Sequence, residues 1–160
     1  MTVLAEKNGK TYVATTIEAA PEFAAPFGGE SFPCLLWDHQ GRSTSSDRSV
    51  LAKALLESGC RYAVCAGADC EAWHDAIDLA FVTAHLGDPE QVVDAVHVMT
   101  SWHQRESADD IAFFFVVNTN FDAHEFDRYL VLHLGTSVAR SEVDAAVRKY
   151  ALGEASDQAV

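Results

Sequence analysis

Two dipeptides combine a histidine with a group that could work beside it in catalysis or binding. Asp38-His39 and Trp102-His103 each follow an apolar run, and Asp69 follows another. Carboxylates and imidazoles serve together as acid–base pairs or as ligands of divalent metals. We therefore take Asp38, His39, Asp69 and His103 as candidate catalytic residues. The competing interpretation is that the two aspartates cap loops or helix starts and that the histidines are partly exposed loop residues. Because such dipeptides recur by chance, we favour this second interpretation.

Candidate ligand-binding residues follow the same apolar runs. Trp102 could form a stacking wall for a ring, and Gly67 and Gly135 begin tight turns. The segment Gly135-Thr136-Ser137 could offer backbone N–H groups and hydroxyls to an anion, although Ser137 is interpreted first as a turn or cap residue. The chain contains no G-x-G-x-x-G, no P-loop pattern and no G-x-S-x-G nucleophile elbow. The sequence therefore assigns no cofactor and no metal.

The cysteines form a C-x4-C-x4-C-x3-H series that ends at His74. Structural zinc sites usually space paired cysteines two to four residues apart on a turn. We expect Cys60 and Cys65 at the two ends of one strand, on opposite faces and roughly 16 Å apart. Burial as small hydrophobic residues is favoured for both. A nucleophilic Cys70 at a helix start, with His74 or His103 as its base, is disfavoured by the flanking acidic residues.

The elements that position these residues alternate between strand and helix. Four strands are predicted from apolar runs at 32–37, 62–66, 96–100 and 129–134. Two helices are predicted over 47–58 and 70–86, and two more are predicted to begin at Ser107 and at Ser141. Near-continuous apolar strands are typical of parallel sheets covered on both faces. We expect a three-layer αβα domain with a mostly parallel sheet of about four strands, Rossmann-like or flavodoxin-like in layout. Ligands of such sheets bind beyond the carboxyl ends of the strands.

Two points of this organisation stay open. Residues 111–117 are rich in β-forming types, but the Ser-Ala-Asp-Asp sequence before them favours a helix. Residues 1–31 are predicted as a lead-in, with a β-hairpin turning at Asn8-Gly9 that could add antiparallel strands at one edge. A single α/β domain follows over 32–153, and 154–160 are predicted as a flexible tail. Residues 90–94 could add one helical turn.

The charge and composition of the chain restrict the classes of partner that it is expected to bind. The formal net charge is −13, and no Lys/Arg-rich stretch offsets it, which argues against nucleic acid and anionic membranes. The N-terminal sequence lacks a signal-peptide pattern and no apolar run is long enough to span a bilayer, so a cytoplasmic location is expected. The leading hypothesis is a non-catalytic accessory protein that binds a small molecule or a protein. The alternatives are a hydrolase-like enzyme, with or without a metal, and a dimerising scaffold that forms a homodimer.

Overall fold

A computed structural model describes residues 1–86, 96–121 and 124–153 of the chain. The predicted tail at 154–160 and the predicted helical turn at 90–94 lie outside these residues. The strands and helices alternate along most of the chain, in the order β1 Thr2–Lys7, β2 Lys10–Ile17, β3 Phe32–Asp38, α1 Ser45–Ser58, β4 Cys60–Gly67, α2 Cys70–Ala84, β5 Met99–His103, α3 Ala108–Val117, β6 Arg128–Leu134 and α4 Ala139–Ala151. A short 3-10 turn, Ala20–Glu22, precedes β3.

The described strands form one mixed sheet in the order β1-β2-β6-β3-β4-β5. Neighbouring strands from β2 to β5 are parallel, and only β1 is antiparallel to its neighbour. The mostly parallel sheet and the N-terminal hairpin are thus confirmed. The count of about four strands was wrong, because β2 pairs along its whole length with β6 and brings the hairpin into the same sheet.

The strand order is what sets the position of the site. From β3 the chain moves outward through β4 to β5, and then returns across the sheet to β6 on the opposite side of β3. This order differs from the 3-2-1-4-5-6 and 2-1-3-4-5 orders of the Rossmann and flavodoxin layouts, so that finer resemblance is not confirmed. The reversal makes a topological switch point between the carboxyl ends of β3 and β6. Crevices at such points are where open α/β sheets bind ligands.

Each face of the sheet is covered by its own hydrophobic core. Helices α1 and α2 supply Leu51, Leu55 and Ile77 to one core, whereas α3 and α4 supply residues such as Phe115 and Val143 to the other. Successive strand residues point to opposite faces, so β6 divides into two sets. Leu130, Leu132 and Leu134 lie in the first core, and Tyr129 and Val131 lie in the second. His133 lies on the same face as Tyr129 and Val131 and therefore points towards α4.

Local sequence explains where the helices begin. The Thr44 side chain accepts a hydrogen bond from the Asp47 N–H, and the Asp47 carboxylate accepts one from the Thr44 N–H, which forms a capping box for α1. Ser107 caps α3 in the same position by accepting from the Asp110 N–H. The helical interpretation of residues 111–117 is therefore confirmed. Two boundaries were misplaced: β5 lies at Met99–His103 instead of 96–100, and α4 begins at Ala139, before Ser141.

The predicted arrangement of the cysteines was partly wrong. Cys60 and Cys65 are fully buried, as expected, but both lie in the core beneath α1 and α2. The register explains this, because Phe32 pairs with Cys60 while Pro33 pairs with Tyr62, so that Arg61 is an extra residue in β4. A bulge of this kind reverses the alternation of faces. All four cysteines are buried and free.

None of the described helices is long and apolar enough to cross a membrane.

Candidate functional site at the strand switch point

Four side chains form a continuous hydrogen-bonded chain at the switch point between β3 and β6. Ser137 Oγ lies 2.6 Å from His39 Nδ1. His39 Nε2 lies 2.8 Å from His133 Nδ1, and His133 Nε2 lies 2.8 Å from Asp144 Oδ1. We call this chain of Ser137, His39, His133 and Asp144 the relay. It runs from an exposed hydroxyl on the surface to a largely buried carboxylate on α4.

The sheet and α4 hold these residues in register. Trp37 of β3 pairs with His133 of β6, which places His39 just beyond the strand end and above His133. The backbone N–H of His39 donates to the carbonyl of Leu134 at 3.0 Å, so the two strand ends are joined there. His133 is completely buried. Its position is therefore fixed by packing as well as by its two hydrogen bonds.

The relay has one consistent direction when both imidazoles are neutral. Asp144 as a carboxylate can only accept, so His133 carries its proton on Nε2 and accepts at Nδ1. His39 then donates from Nε2 and accepts at Nδ1, where the Ser137 hydroxyl donates. Ser137 Oγ in turn accepts from the Ala139 N–H at 3.2 Å. A serine hydroxyl is thus aimed at the free lone pair of an imidazole, the arrangement that activates a nucleophilic serine.

The electrostatic surroundings keep His39 uncharged. Its pKa is lowered from 6.5 to about 4, chiefly because partial burial disfavours the imidazolium, with further lowering by His133 and Arg140. The carboxylates of Asp38 and Asp144 act in the opposite direction but do not outweigh these effects. At neutral pH His39 is therefore in the form that can accept a proton.

Asp38, adjacent to His39, has a structural set of partners. Its Oδ1 accepts from the backbone N–H groups of Gln40 and Gly41, both at 2.9 Å, and its Oδ2 accepts from the Trp73 indole at 3.0 Å. The carboxylate is buried and lies on the α2 side of the sheet, opposite the relay. It closes the turn after β3 and so fixes the backbone from which His39 projects.

A small cleft lies on the Asp38 side of the strand ends. Its volume is about 110 Å³, and Glu18, Arg42, Asp47 and Trp73 contribute to its walls. Pockets that enclose small-molecule ligands usually measure about 300–1,000 Å³. This cleft can hold water or a small group, but it is too small to enclose a cofactor.

The remaining strand-end candidates lie apart from the relay. His103, at the end of β5, contacts Ser101 Oγ through Nε2 at 3.0 Å and Glu106 Oε2 through Nδ1 at 2.9 Å. Its ring packs on Phe114 against the core of α3 and α4. Trp102, with 45% of its surface exposed, faces the other way and packs edge-on against His74.

Asp69 begins α2 in a left-handed conformation, with φ of 54°, and its side chain makes no capping hydrogen bond. Gly67, immediately before that turn, has φ of 78°, and a Cβ there would collide with the Asp38 carbonyl. Gly135 also has positive φ, and a Cβ there would collide with Gln40. Thr136 is exposed beside Ser137. The two glycines thus meet backbone requirements, and Gly135 allows the turn that presents Ser137.

The structure does not bring Asp38, His39, Asp69 and His103 together. Among the residues that the structure describes, no group of three or more His, Cys, Asp or Glu side chains is arranged to hold a metal ion. His39 is the one member of this set that belongs to the relay.

Comparison with known proteins gave one finding. A family model described as a domain of unknown function, DUF7684, matches residues 11–150. The chain belongs to the DUF7684 family. The matched region of this DUF7684 domain includes every residue of the relay. Comparison with curated proteins gave no match. Comparison with solved structures gave none either.

Sequence reasoning missed most of the relay of this DUF7684 domain. His133 lies inside the apolar run of β6, and Ser137 was interpreted as a turn or cap residue, while Asp144 was not considered. A usable signal was nevertheless present, since a histidine in a doubly covered strand must find hydrogen-bond partners. Alternation along β6 places His133 on one face, and an aspartate on the following helix is a suitable partner.

Proposed function

We propose that this protein is a serine hydrolase that cleaves an ester or amide bond at the switch point between β3 and β6. The observation that carries the proposal is the unidirectional hydrogen-bond chain from the exposed Ser137 hydroxyl through His39 and His133 to Asp144. Nucleophile–base–acid sets of this kind recur on unrelated folds and are recognised by geometry, not by sequence order. The absence of a G-x-S-x-G pattern is therefore no objection.

The first half of the reaction forms an acyl-enzyme. Ser137 Oγ attacks the substrate carbonyl carbon while its proton passes to His39 Nδ1. His133, held by Asp144, accepts a hydrogen bond from His39 Nε2–H and stabilises the imidazolium as it forms. The tetrahedral intermediate then collapses, the bond to the leaving group breaks, and the leaving group takes the proton from His39 Nδ1.

The second half releases the acid. Water attacks the acyl carbon and gives its proton to His39, and Ser137 Oγ leaves and recovers that proton. The Ala139 and Arg140 N–H groups already donate to Ser137, to its Oγ and its carbonyl. The developing oxyanion therefore takes its donors from the N–H groups that follow in the first turn of α4, because the early N–H groups of a helix lack intrahelical partners.

The surface position of Ser137 favours small or flexible substrates. The hydroxyl is exposed, and the cleft of about 110 Å³ lies on the Asp38 side of the sheet, opposite the relay. The leading sequence-based hypothesis, a non-catalytic binding protein, rests on clefts away from the relay: about 430 Å³ beside Gly67 and Asp69, and about 460 Å³ between α1 and α2, both within the usual range for ligands. Neither cleft is lined by a residue of the relay. A metal-assisted hydrolase using Asp38, Asp69 and His103 has less support because those side chains do not converge with His39.

The first test is reaction of Ser137 with a fluorophosphonate probe and hydrolysis of p-nitrophenyl acetate. We expect labelling at Ser137, and loss of about 10³-fold or more in kcat/KM in Ser137→Ala and His39→Ala. Asp144→Asn, which acts through His133, should lose roughly 10- to 100-fold. Ser141→Ala removes an exposed hydroxyl in the first turn of α4, keeps the backbone N–H of that position, and should leave both readouts unchanged. Equal labelling and hydrolysis by wild type and Ser137→Ala would refute the proposal.

A further inference from the structure

Among the residues that the structure describes, the guanidinium of Arg140 has no hydrogen-bond or ion-pair partner. Arg140 is in the first turn of α4, and its backbone N–H donates to the Ser137 carbonyl at 3.2 Å. Within the described part of the chain, its side chain forms neither a hydrogen bond nor an ion pair. Arg128 pairs with Glu30, and Arg148 donates to the Leu4 carbonyl. Within the same described residues, Arg42 and Arg105 resemble Arg140 in having neither kind of side-chain contact, but neither belongs to the turn that presents Ser137.

Arg140 projects from the turn of chain that presents the reacting hydroxyl, since its backbone N–H donates to the carbonyl of Ser137, just before α4. Residues four positions apart share one face of a helix. Asp144 follows Arg140 by four residues on α4 and belongs to the relay. The charge of Arg140 also contributes to the lowered pKa of His39, which is consistent with this proximity.

The positive charge of Arg140 lies at a position where it does not stabilise the fold. Positive charge in the first turn of a helix opposes the helix dipole. The chain has 24 acidic residues, yet none pairs with Arg140 among the residues described. The carboxylate of Asp144, one turn further along α4, is hydrogen-bonded to His133 Nε2 at 2.8 Å. The guanidinium therefore remains available for an anion brought by a substrate.

We propose that Arg140 binds a carboxylate on the acyl portion of the substrate, so that the protein prefers half-esters of short dicarboxylic acids. This inference rests on the proposed hydrolase function. A guanidinium binds a carboxylate through two parallel N–H···O hydrogen bonds, which fixes orientation as well as affinity. Such an anchor holds the substrate carbonyl over Ser137 Oγ. Trp37, stacked at 6.1 Å from the His39 ring, provides an apolar wall beside the site.

The preference is measured with two p-nitrophenyl esters of similar length, the hemiglutarate and the neutral butyrate. We expect wild-type kcat/KM to be about 10- to 100-fold higher for the hemiglutarate, the range that a charge-assisted hydrogen bond supplies. In Arg140→Gln this ratio falls to about one, mainly through a higher KM for the hemiglutarate. Arg140→Lys keeps part of the preference. Arg105→Gln, in the turn before α3, serves as the matched control and keeps the full ratio.

The two proposals fail in distinguishable ways. If wild type hydrolyses both esters through Ser137 but shows no preference, or if Arg140→Gln keeps the preference, the assignment of Arg140 is overturned and the hydrolase proposal stands. If neither ester is hydrolysed and Ser137 is not labelled by the fluorophosphonate, both proposals fall. Free glutarate should also protect Ser137 from labelling in wild type and not in Arg140→Gln, and equal protection would count against the assignment.

Discussion

At the scale of single residues, the relay consists of contacts between side chains that are distant in the sequence. His39 was chosen because it follows an apolar run beside a carboxylate, and that position is part of the relay. Its neighbour Asp38 faces the other side of the sheet, as strand alternation requires of consecutive residues. The carboxylate of the relay, Asp144, contacts His133 and is 105 positions away from His39 in the chain, so only the fold brings it near.

The lowered pKa of His39 predicts activity that persists in acid. A general base works only when it is unprotonated, and the pKa of His39 is about 4 against the usual 6.5. We therefore expect kcat/KM for a neutral ester to stay level from pH 7 downward and to fall only near pH 4. His133→Gln removes one cause of the lowering, so its acidic limb should move to higher pH.

The measurement is a pH–rate profile, with circular dichroism at each pH to show that the chain remains folded. An acidic limb near pH 6.5 in wild type would contradict this account of His39. A limb at unchanged pH in His133→Gln would show that His133 does not influence the base.

At the scale of elements, capping and periodicity were readable from sequence, whereas strand partnership was not. Ser107 correctly marked the start of a helix over residues whose types favour a strand. Nothing local indicated that β2 pairs with β6, because that choice depends on packing between residues more than a hundred positions apart. The switch point, and therefore the location of the candidate site, follows from a second long-range pairing, that of β3 with β6.

The capping box of α1 is expected to contribute measurably to stability. Thr44→Ala leaves the Asp47 N–H without its side-chain acceptor, and such losses cost about 1 kcal/mol. For a domain of this size, that corresponds to a fall in Tm of about 2–4 °C. Thr136→Ala, an exposed threonine outside the helices, is the matched control. Equal Tm values for the two variants in differential scanning calorimetry would contradict the role of the cap.

At the scale of the whole molecule, charge is the dominant property. The chain carries 24 acidic and 11 basic residues. The ion pairs that the structure shows are mostly exposed, and exposed pairs contribute little to stability. The excess carboxylates therefore repel one another, and dissolved salt reduces this repulsion by screening it.

We expect the folded state to be stabilised when ionic strength rises from about 0.01 M to 0.15 M, since the screening length shrinks to about 8 Å. A gain of about 1 kcal/mol would raise Tm by about 2–4 °C. Thermal melts in NaCl and in KCl should agree, because screening does not depend on the identity of the cation. A Tm that is constant or falls over this range would show that self-repulsion is unimportant.

The pairing of β2 with β6 has a consequence for how the molecule is made. On the ribosome, β2 is synthesised more than a hundred residues before its parallel partner β6, which is complete only at residue 134. Until then the β2 edge of the hairpin is unpaired and its apolar residues lack their final cover. Formation of such distant contacts is slow relative to local structure. The partners of His39, which are His133, Ser137 and Asp144, are likewise synthesised much later, so a nascent chain acquires its proposed reactive serine only when α4 folds onto the sheet.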